Sequence, residues 1–222
     1  MQIDWFPLWL SLRVAAFATA ISLAVGLWLA HLLARRDFRG KGLVEAAVEL
    51  PLVLPPTVLG YYVLVLLGQD RLLGRAYASV FGAPLLFTWQ AAVVAAVIYA
   101  APFLIKSARV AFEEADASYE RAARALGAAR WRVFWRVTLP LARGSILAAT
   151  LLTFARSMAD FGITIVIAGN LPRRTETLSV AVYDAVEKGN GAMARALVLV
   201  VSALVLALLF LASRLKPKQA VG

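Results

Sequence analysis

Five apolar stretches, each long enough to cross a lipid bilayer, constrain the fold of this 222-residue chain more than any other feature. A helix needs about 20 mostly apolar residues to span the hydrocarbon core. The stretches cover residues 14–34, 50–68, 85–105, 145–169 and 196–213. Only 16% of the residues are charged, too few to surround five buried helices with a polar shell. The sequence therefore predicts an all-α polytopic membrane protein with five to six transmembrane helices, forming one domain over residues 1–222.

Lysine and arginine are distributed unevenly among the segments that connect these stretches. Fifteen of the 23 lie in residues 35–41, in residues 106–145 or in the C-terminal tail. Five lie in the connections on the opposite side, and three lie in or at the apolar stretches. Because positive residues concentrate on the cytoplasmic side of membrane proteins, this asymmetry predicts an N-terminus outside and a C-terminus in the cytoplasm. It also explains most of the net charge of +10, so we expect the lipid bilayer as a partner and no nucleic acid.

The residue types exclude several kinds of chemistry. The chain has no cysteine and a single histidine, His31, which excludes a thiol nucleophile and a multi-histidine metal site. It also lacks the Gly-x-x-x-x-Gly-Lys-Ser/Thr loop that binds nucleotide phosphates. A membrane enzyme would need reactive side chains clustered near one membrane face, and the acidic residues are mostly scattered. We therefore predict no metal, no cofactor and no enzymatic activity in this chain, and a membrane scaffold that only recruits partners stays an alternative.

The connection formed by residues 106–145 is long for a helical membrane protein and predicts a function of its own. Residues 112–126 contain no glycine or proline and are rich in residues that favour helix, with Asp116 or Ser118 as the N-cap and Gly127 as the C-terminal stop. One narrow apolar stripe recurs at helical spacing on this helix: Tyr119, Ala122, Ala123 and Leu126. The stripe either folds against its own protein or docks into a groove on a cytoplasmic partner.

At this segment the sequence resembles a known family. Residues 120–127 read Glu-Arg-Ala-Ala-Arg-Ala-Leu-Gly, and after nine residues Val-Thr-Leu-Pro follows at 137–140. This resembles the cytoplasmic Glu-Ala-Ala loop of ABC importer permeases, in which Gly and an Ile-x-Leu-Pro run follow at the same spacing. Arg121 holds the glutamate position of that pattern, and Glu120 precedes it. Five residues match the pattern: Ala122, Ala123, Gly127, Leu139 and Pro140.

Three further segments, residues 50–61, 154–162 and 167–178, resemble the molybdate branch of these permeases. The resemblance implies a type I importer permease of the bacterial cytoplasmic membrane, with a transport path between two copies of the chain. It also implies a cytoplasmic ABC ATPase dimer that binds ATP and Mg, and an extracytoplasmic oxyanion-binding protein. Tungstate and sulfate or thiosulfate are alternative substrates. The ATPase-coupling residues it implies are Asp116, Tyr119, Glu120, Ala122, Ala123, Leu126, Gly127, Leu139 and Pro140.

Two charged residues within the fourth apolar stretch are candidates for the transport path. Charges at membrane depth are costly, and Arg156 and Asp160 are spaced to pair along one helix face. They either form a structural ion pair or place Arg156 at the dimer axis, where it contacts a passing oxyanion while Asp160 restrains it. Thr57, Gly60 and Tyr61 follow three prolines in the second stretch and are also candidates for the path. Gly60 alternatively allows close helix packing.

Overall fold

The computed structural model describes residues 4–215, and every regular element within them is a helix. The predicted all-α class is confirmed. Lys216 and Lys218 of the predicted basic tail lie outside the described residues. A π-helical turn, Phe134–Thr138, separates the seventh and eighth α-helices. In chain order the α-helices are α1 (Phe6–Arg35), α2 (Lys41–Val53), α3 (Pro56–Leu67), α4 (Leu72–Phe81), α5 (Trp89–Glu114), α6 (Ala117–Ala125), α7 (Arg130–Val133), α8 (Leu139–Ala159), α9 (Gly162–Ile167), α10 (Leu178–Glu187) and α11 (Gly191–Leu215).

Four helices in the described part of the chain are long and apolar enough to cross a membrane. They are α1, α5, α11 and the continuous helix Arg130–Ala159, which includes α7, the π-helical turn and α8. The pair α2 and α3 adds a fifth if it counts as one broken span, since the two helices meet at an angle of 117°. The structure therefore has four or five spans by length and composition, against the five to six predicted.

The second predicted span is broken at Leu54, where the backbone is extended (φ −70°, ψ 142°). Two prolines, Pro55 and Pro56, follow this residue, and the ring of a proline disfavours helical geometry at the residue before it. Proline is tolerated in the first turn of a helix, so α3 begins directly at Pro56. The apolar stretch predicted as one span is therefore two short helices with a sharp bend.

The fourth predicted span, residues 145–169, is also two helices. The chain leaves helical geometry at Asp160 (φ −65°, ψ 126°) and resumes it at Gly162 as the short helix α9. The span begins earlier than predicted, because residues 130–138 continue into α8 through the π-helical turn. Apolar composition located the stretch correctly, but it carries no information about a break within it.

Parallel packing of α1 against α5 forms the largest interface of the bundle. The two helices run in the same direction, because Arg13 lies against Trp89 at one end and His31 lies against Phe112 at the other. Both helices bury small side chains completely, among them the alanines Ala15, Ala18, Ala30, Ala91, Ala92, Ala95, Ala96, Ala100 and Ala108. Such residues let helix backbones approach closely, which is how helices associate in a membrane.

The bundle has two distinct ends. The last turn of α1, the start of α2 and helix α6 lie at one end, which we call the α6 end. The start of α1, the start of α5 and residues 168–178 lie at the opposite end. Leu8 of α1 packs beside Leu178 and Leu197, so α11 also begins at the opposite end.

Two glycines hold α3 and α9 in backbone contact. A Cβ atom on Gly60 would lie 2.8 Å from Cβ of Val166 and 3.3 Å from Cα of Ile163. A Cβ atom on Gly162 would lie 2.6 Å from Cβ of Pro56. The structure therefore places Gly60 in a close helix crossing. This is the packing role predicted from the sequence as the alternative to a path-lining role.

We expect Gly60→Leu to lower the melting temperature of the purified chain in detergent, because overpacking a tight contact costs about 1–3 kcal/mol. Gly42→Leu is the matched control, since nothing lies within 4 Å of a Cβ at Gly42. If the two variants melt together, the α3–α9 crossing does not depend on the absence of a side chain at Gly60.

Candidate functional site

Helix α6 has defined caps at both ends. The Asp116 carboxylate accepts a hydrogen bond from the backbone N–H of Ser118 at 2.8 Å, and this bond lowers the pKa of Asp116 below its ordinary value. Gly127 adopts φ +81° after the helix, and its N–H donates to Arg124 O while the N–H of Ala128 donates to Ala123 O. This pair of bonds is the Schellman motif, which needs a left-handed residue at its centre. The predicted N-cap Asp116 and the predicted stop Gly127 are confirmed.

The predicted helix over residues 112–126 needs a correction. Helix α5 continues to Glu114, the backbone is extended at Ala115 (φ −67°, ψ 124°), and α6 begins only at Ala117. Phe112 is therefore a fully buried residue of the long span and does not belong to the short helix. A new helix begins after the N-cap Asp116, so α6 is a separate element at this end of the bundle.

The apolar stripe of α6 is uncovered. Tyr119 is 58% exposed and Leu126 is 89% exposed, while Ala122 is exposed and Ala123 is half-buried. Of the two interpretations, the structure disfavours a stripe folded against its own chain. The two alanines leave the helix backbone accessible between the larger side chains, so a partner surface can approach closely.

Glu120 points in the other direction and is only 5% exposed. Its carboxylate oxygen Oε1 accepts hydrogen bonds from Nε of Arg35 at 3.1 Å and from the hydroxyl of Thr138 at 3.0 Å. The same oxygen lies 2.9 Å from Nη2 of Arg35, which completes an ion pair. Arg35 also donates to the backbone oxygen of Ala115 at 2.9 Å. One carboxylate therefore joins α6 to the last turn of α1 and to the π-helical turn.

The π-helical turn has a local cause in Pro140. Proline has no N–H, and its ring crowds the carbonyl four residues earlier, so the hydrogen bond that this position would donate in a regular α-helix is missing. Instead the N–H of Leu139 donates to Phe134 O, five residues back. Thr138, fully buried in this widened turn, faces Glu120. Leu139 is half-buried and packs on the core at this end, whereas Pro140 is exposed.

Three aromatic rings, those of His31, Phe112 and Phe134, lie beside the Glu120 carboxylate. The His31 ring lies 5.5 Å from Phe112 and 4.9 Å from Phe134, both in edge contacts. His31 is one turn before Arg35 on α1, so the rings and the ion pair form one cluster. We call Glu120, Arg35, Thr138, His31 and Phe134 the Glu120 cluster. Arg35 and Thr138 are not predicted from the sequence; the one signal in the sequence is that Glu120 lies off the apolar stripe of α6.

Arg156 and Asp160 are not paired, which overturns the predicted ion pair. The Asp160 carboxylate is 3% exposed and accepts from the backbone N–H groups of Ile163 and Thr164 at 3.4 and 3.2 Å, and from the Thr164 hydroxyl at 2.7 Å. Residues four apart face each other only within a continuous helix, but the chain leaves helical geometry at Asp160. Asp160 therefore stabilises the start of α9, and the predicted restraint on Arg156 is wrong.

Arg156 lies against aromatic rings of α5. Its guanidinium carbon is 4.7 Å from the ring centre of Tyr99 and 5.7 Å from that of Phe103. The side chain is half-buried, and within the described residues its Nε has no hydrogen-bond partner. Among the remaining path candidates, Thr57 and Tyr61 are exposed on one face of α3 whereas Gly60 is buried. Residues 4–215 contain no group of three or more acidic or histidine side chains that would hold a metal ion.

The bundle has helices of membrane-spanning length and presents the small, capped and uncovered helix α6 at one end. Residues 22–220 match the family described as "Binding-protein-dependent transport system inner membrane component", and the chain belongs to this family. It is a multi-pass inner-membrane protein. The family resemblance noted from residues 120–140 is thereby confirmed.

Similar proteins agree with this assignment. The "Molybdenum transport system permease protein ModB" of Escherichia coli K12 is 40% identical over 199 residues, covering 90% of this chain and 87% of that protein. The protein of the same name from Haemophilus influenzae is 40% identical over 178 residues, covering 80% and 78%. An inward-facing structure of the MetNI methionine ABC transporter superimposes with a TM-score of 0.72 at 20% identity, covering 95% of both chains. This structural likeness shows the fold of an ABC importer permease.

We expect Glu120→Gln to destabilise the purified chain by about 3–5 kcal/mol, because it leaves the Arg35 charge largely buried without its counter-ion. Glu113→Gln is the control, since Glu113 forms an exposed pair with Arg109 and such pairs contribute at most about 1 kcal/mol. Thermal melting of both variants measures the difference. Equal melting temperatures would contradict a stabilising role for the buried carboxylate.

Proposed function

We propose that this chain is the permease subunit of an ABC importer that translocates molybdate across the cytoplasmic membrane. Membership of the transport family and 40% identity to molybdenum permeases over most of the chain support the substrate class. The structural observation that carries the mechanism is the uncovered stripe of α6, opposite a carboxylate that anchors the same helix to two spans.

The proposed assembly has two copies of this chain, a cytoplasmic ABC ATPase dimer that binds ATP and Mg, and an extracytoplasmic oxyanion-binding protein. The family description itself refers to dependence on a binding protein. The chain has no phosphate-binding loop, so the energy for transport has to come from another subunit. The excess of basic residues around α6 supports an orientation with the α6 end in the cytoplasm and the N-terminus outside.

Movement of the ATPase reaches the spans through the Glu120 cluster. The ATPase contacts the stripe around Ala122 and Ala123, and any displacement of α6 pulls on Arg35 of α1 through the Glu120 ion pair. The Thr138 hydrogen bond carries the same displacement to α8. Rigid helices that share one anchor move together, so α1 and α8 rock as a unit and change the side on which the path is open.

Arg156 is the proposed oxyanion contact in the path. Its guanidinium is held by the rings of Tyr99 and Phe103 rather than by a carboxylate, so its N–H groups keep capacity for an anion. A ring face attracts a cation more weakly than a carboxylate does, and it does not compete for the hydrogen bonds of the guanidinium. Thr57 and Tyr61 are further lining candidates because their side chains are exposed on α3. A transient contact of this kind lets the anion leave again.

Docking is tested with a bulky substitution on the stripe. We expect Ala123→Trp to abolish co-purification of the ATPase and to reduce uptake at least about tenfold, because the indole blocks the close approach that alanine permits. Ala125→Trp is the matched control, since Ala125 is exposed on α6 but lies off the stripe. Both variants should insert and melt like the natural chain. Unchanged ATPase recovery with Ala123→Trp would contradict docking on this stripe.

Transport is tested by uptake of labelled molybdate into liposomes that contain the complex, with ATP inside and binding protein outside. Tungstate, sulfate and thiosulfate are added as competitors, because all are tetrahedral dianions. We expect ATP-dependent molybdate uptake, and Arg156→Gln should reduce it about tenfold through loss of a charge-assisted contact. Arg156→Lys should retain part of the flux. Partner binding without any uptake would favour the scaffold alternative, and sulfate uptake in preference to molybdate would reassign the substrate.

A further inference from the structure

A cavity of about 380 Å³ lies at the end of the bundle opposite α6. It is formed by the first turns of α1, the start of α5 and the connection between α9 and α10. Three arginines, Arg13, Arg173 and Arg174, line it together with aromatic residues that include Trp9, Phe87 and Trp89. The proposed transport function uses none of them.

Arg13 lines the cavity and has no acidic partner within the described residues. Its guanidinium carbon lies 3.8 Å from the ring centre of Trp89 and 5.3 Å from that of Trp9. No carboxylate in residues 4–215 lies within ion-pair distance of it, although the side chain is half-buried. A guanidinium held between indole rings keeps its N–H groups available, and its planar fork matches phosphate oxygens.

The connection that carries the other two arginines is held in place. The buried Thr175 hydroxyl donates to Gly169 O at 3.3 Å and accepts from the N–H of Leu171 at 3.1 Å. The N–H of Phe87 donates to Ile167 O at 2.9 Å, which ties this connection to the segment before α5. Arg173 forms one ion pair, with Asp4 at 3.5 Å, and both side chains are mostly exposed. The cavity is therefore preformed and carries a surplus of positive charge.

The depth of the cavity can be read from α1. Arg13 and Arg35 are 22 residues apart with no Lys, Arg, Asp or Glu between them. At about 1.5 Å per residue they are separated by about 33 Å along the helix, close to the roughly 30 Å of a bilayer hydrocarbon core. Arg13 therefore lies at the level of the lipid head groups. Trp9 and Phe87, each more than half exposed, lie at the same level, where aromatic rings concentrate in membrane proteins.

We propose that this cavity binds the phosphate head group of an acidic phospholipid. Arg13, Arg173 and Arg174 contact the phosphate, and the exposed aromatic rings cover the glycerol and the upper acyl chains. A lipid fits better than a soluble partner because Arg13 is half-buried between the exposed Trp9 and the half-buried Trp89 at membrane depth. The bound lipid bridges α1, α5 and the connection before α10. This proposal does not depend on which anion is transported.

Native mass spectrometry of the full-length chain tests the proposal, with phosphatidylglycerol or phosphatidylcholine added to neutral detergent. We expect retention of phosphatidylglycerol in preference to phosphatidylcholine. Arg174→Gln, at an exposed position, should weaken this retention about fivefold without changing the melting temperature. Arg13→Gln should weaken it at least as much. Arg75→Gln is the matched control, because Arg75 is exposed on α4 and does not line the cavity.

Several outcomes would overturn the proposal. Equal retention of the two lipids, or equal losses in Arg174→Gln and Arg75→Gln, would show that the cavity has no specific role in lipid binding. Displacement of the lipid by millimolar inorganic phosphate or molybdate would show that the arginines bind a free oxyanion instead. Absence of a lipid preference, together with weaker capture of the oxyanion-binding protein by Arg174→Gln, would reassign the cavity to that protein.

Discussion

Close contact between α1 and α5 is the constraint on which the rest of the structure depends. Fully buried alanines line both helices, and in a bilayer helices associate through such close packing rather than through the exclusion of water. Because the two helices are parallel, this one interface defines both functional ends of the molecule. It brings Arg13 to Trp89 at one end, and His31 to Phe112, beside Arg35, at the other.

The two broken segments follow from a second constraint. Backbone groups inside a membrane need hydrogen-bond partners, so an interruption is tolerated only where protein covers it or where it lines a water-filled cavity. Pro55 and Pro56 interrupt one segment, and Asp160 interrupts the other while its carboxylate satisfies the N–H groups that begin α9. Gly60 and Gly162 then let the two interrupted segments pack on each other at backbone distance. Each break is therefore stabilised by the packing of the other.

The two faces of α6 differ in what they contact. The alanine stripe faces outward and is free for a partner, whereas Glu120 faces inward and joins α6 to α1 and the π-helical turn. A short helix held only by surface contacts would tilt when pushed, and its displacement would be lost locally. The buried carboxylate, through two hydrogen bonds and the ion pair with Arg35, connects α6 to α1 and to the π-helical turn, as the proposed transmission of force requires.

Residue order and composition alone were sufficient for the helical class, the membrane location, the family, the stop of α6 at Gly127 and the residues of its apolar stripe. These features depend on local chemistry and periodicity, which a linear chain displays directly. Only the tertiary structure decided that Glu120 faces inward, that Asp160 caps α9 instead of pairing with Arg156, and that Arg13 shares a cavity with Arg173 and Arg174. Each of these depends on where the backbone leaves helical geometry and on which distant helix then lies nearby. Hydropathy carries no information about either, because a broken helix and a straight one have the same apolar composition.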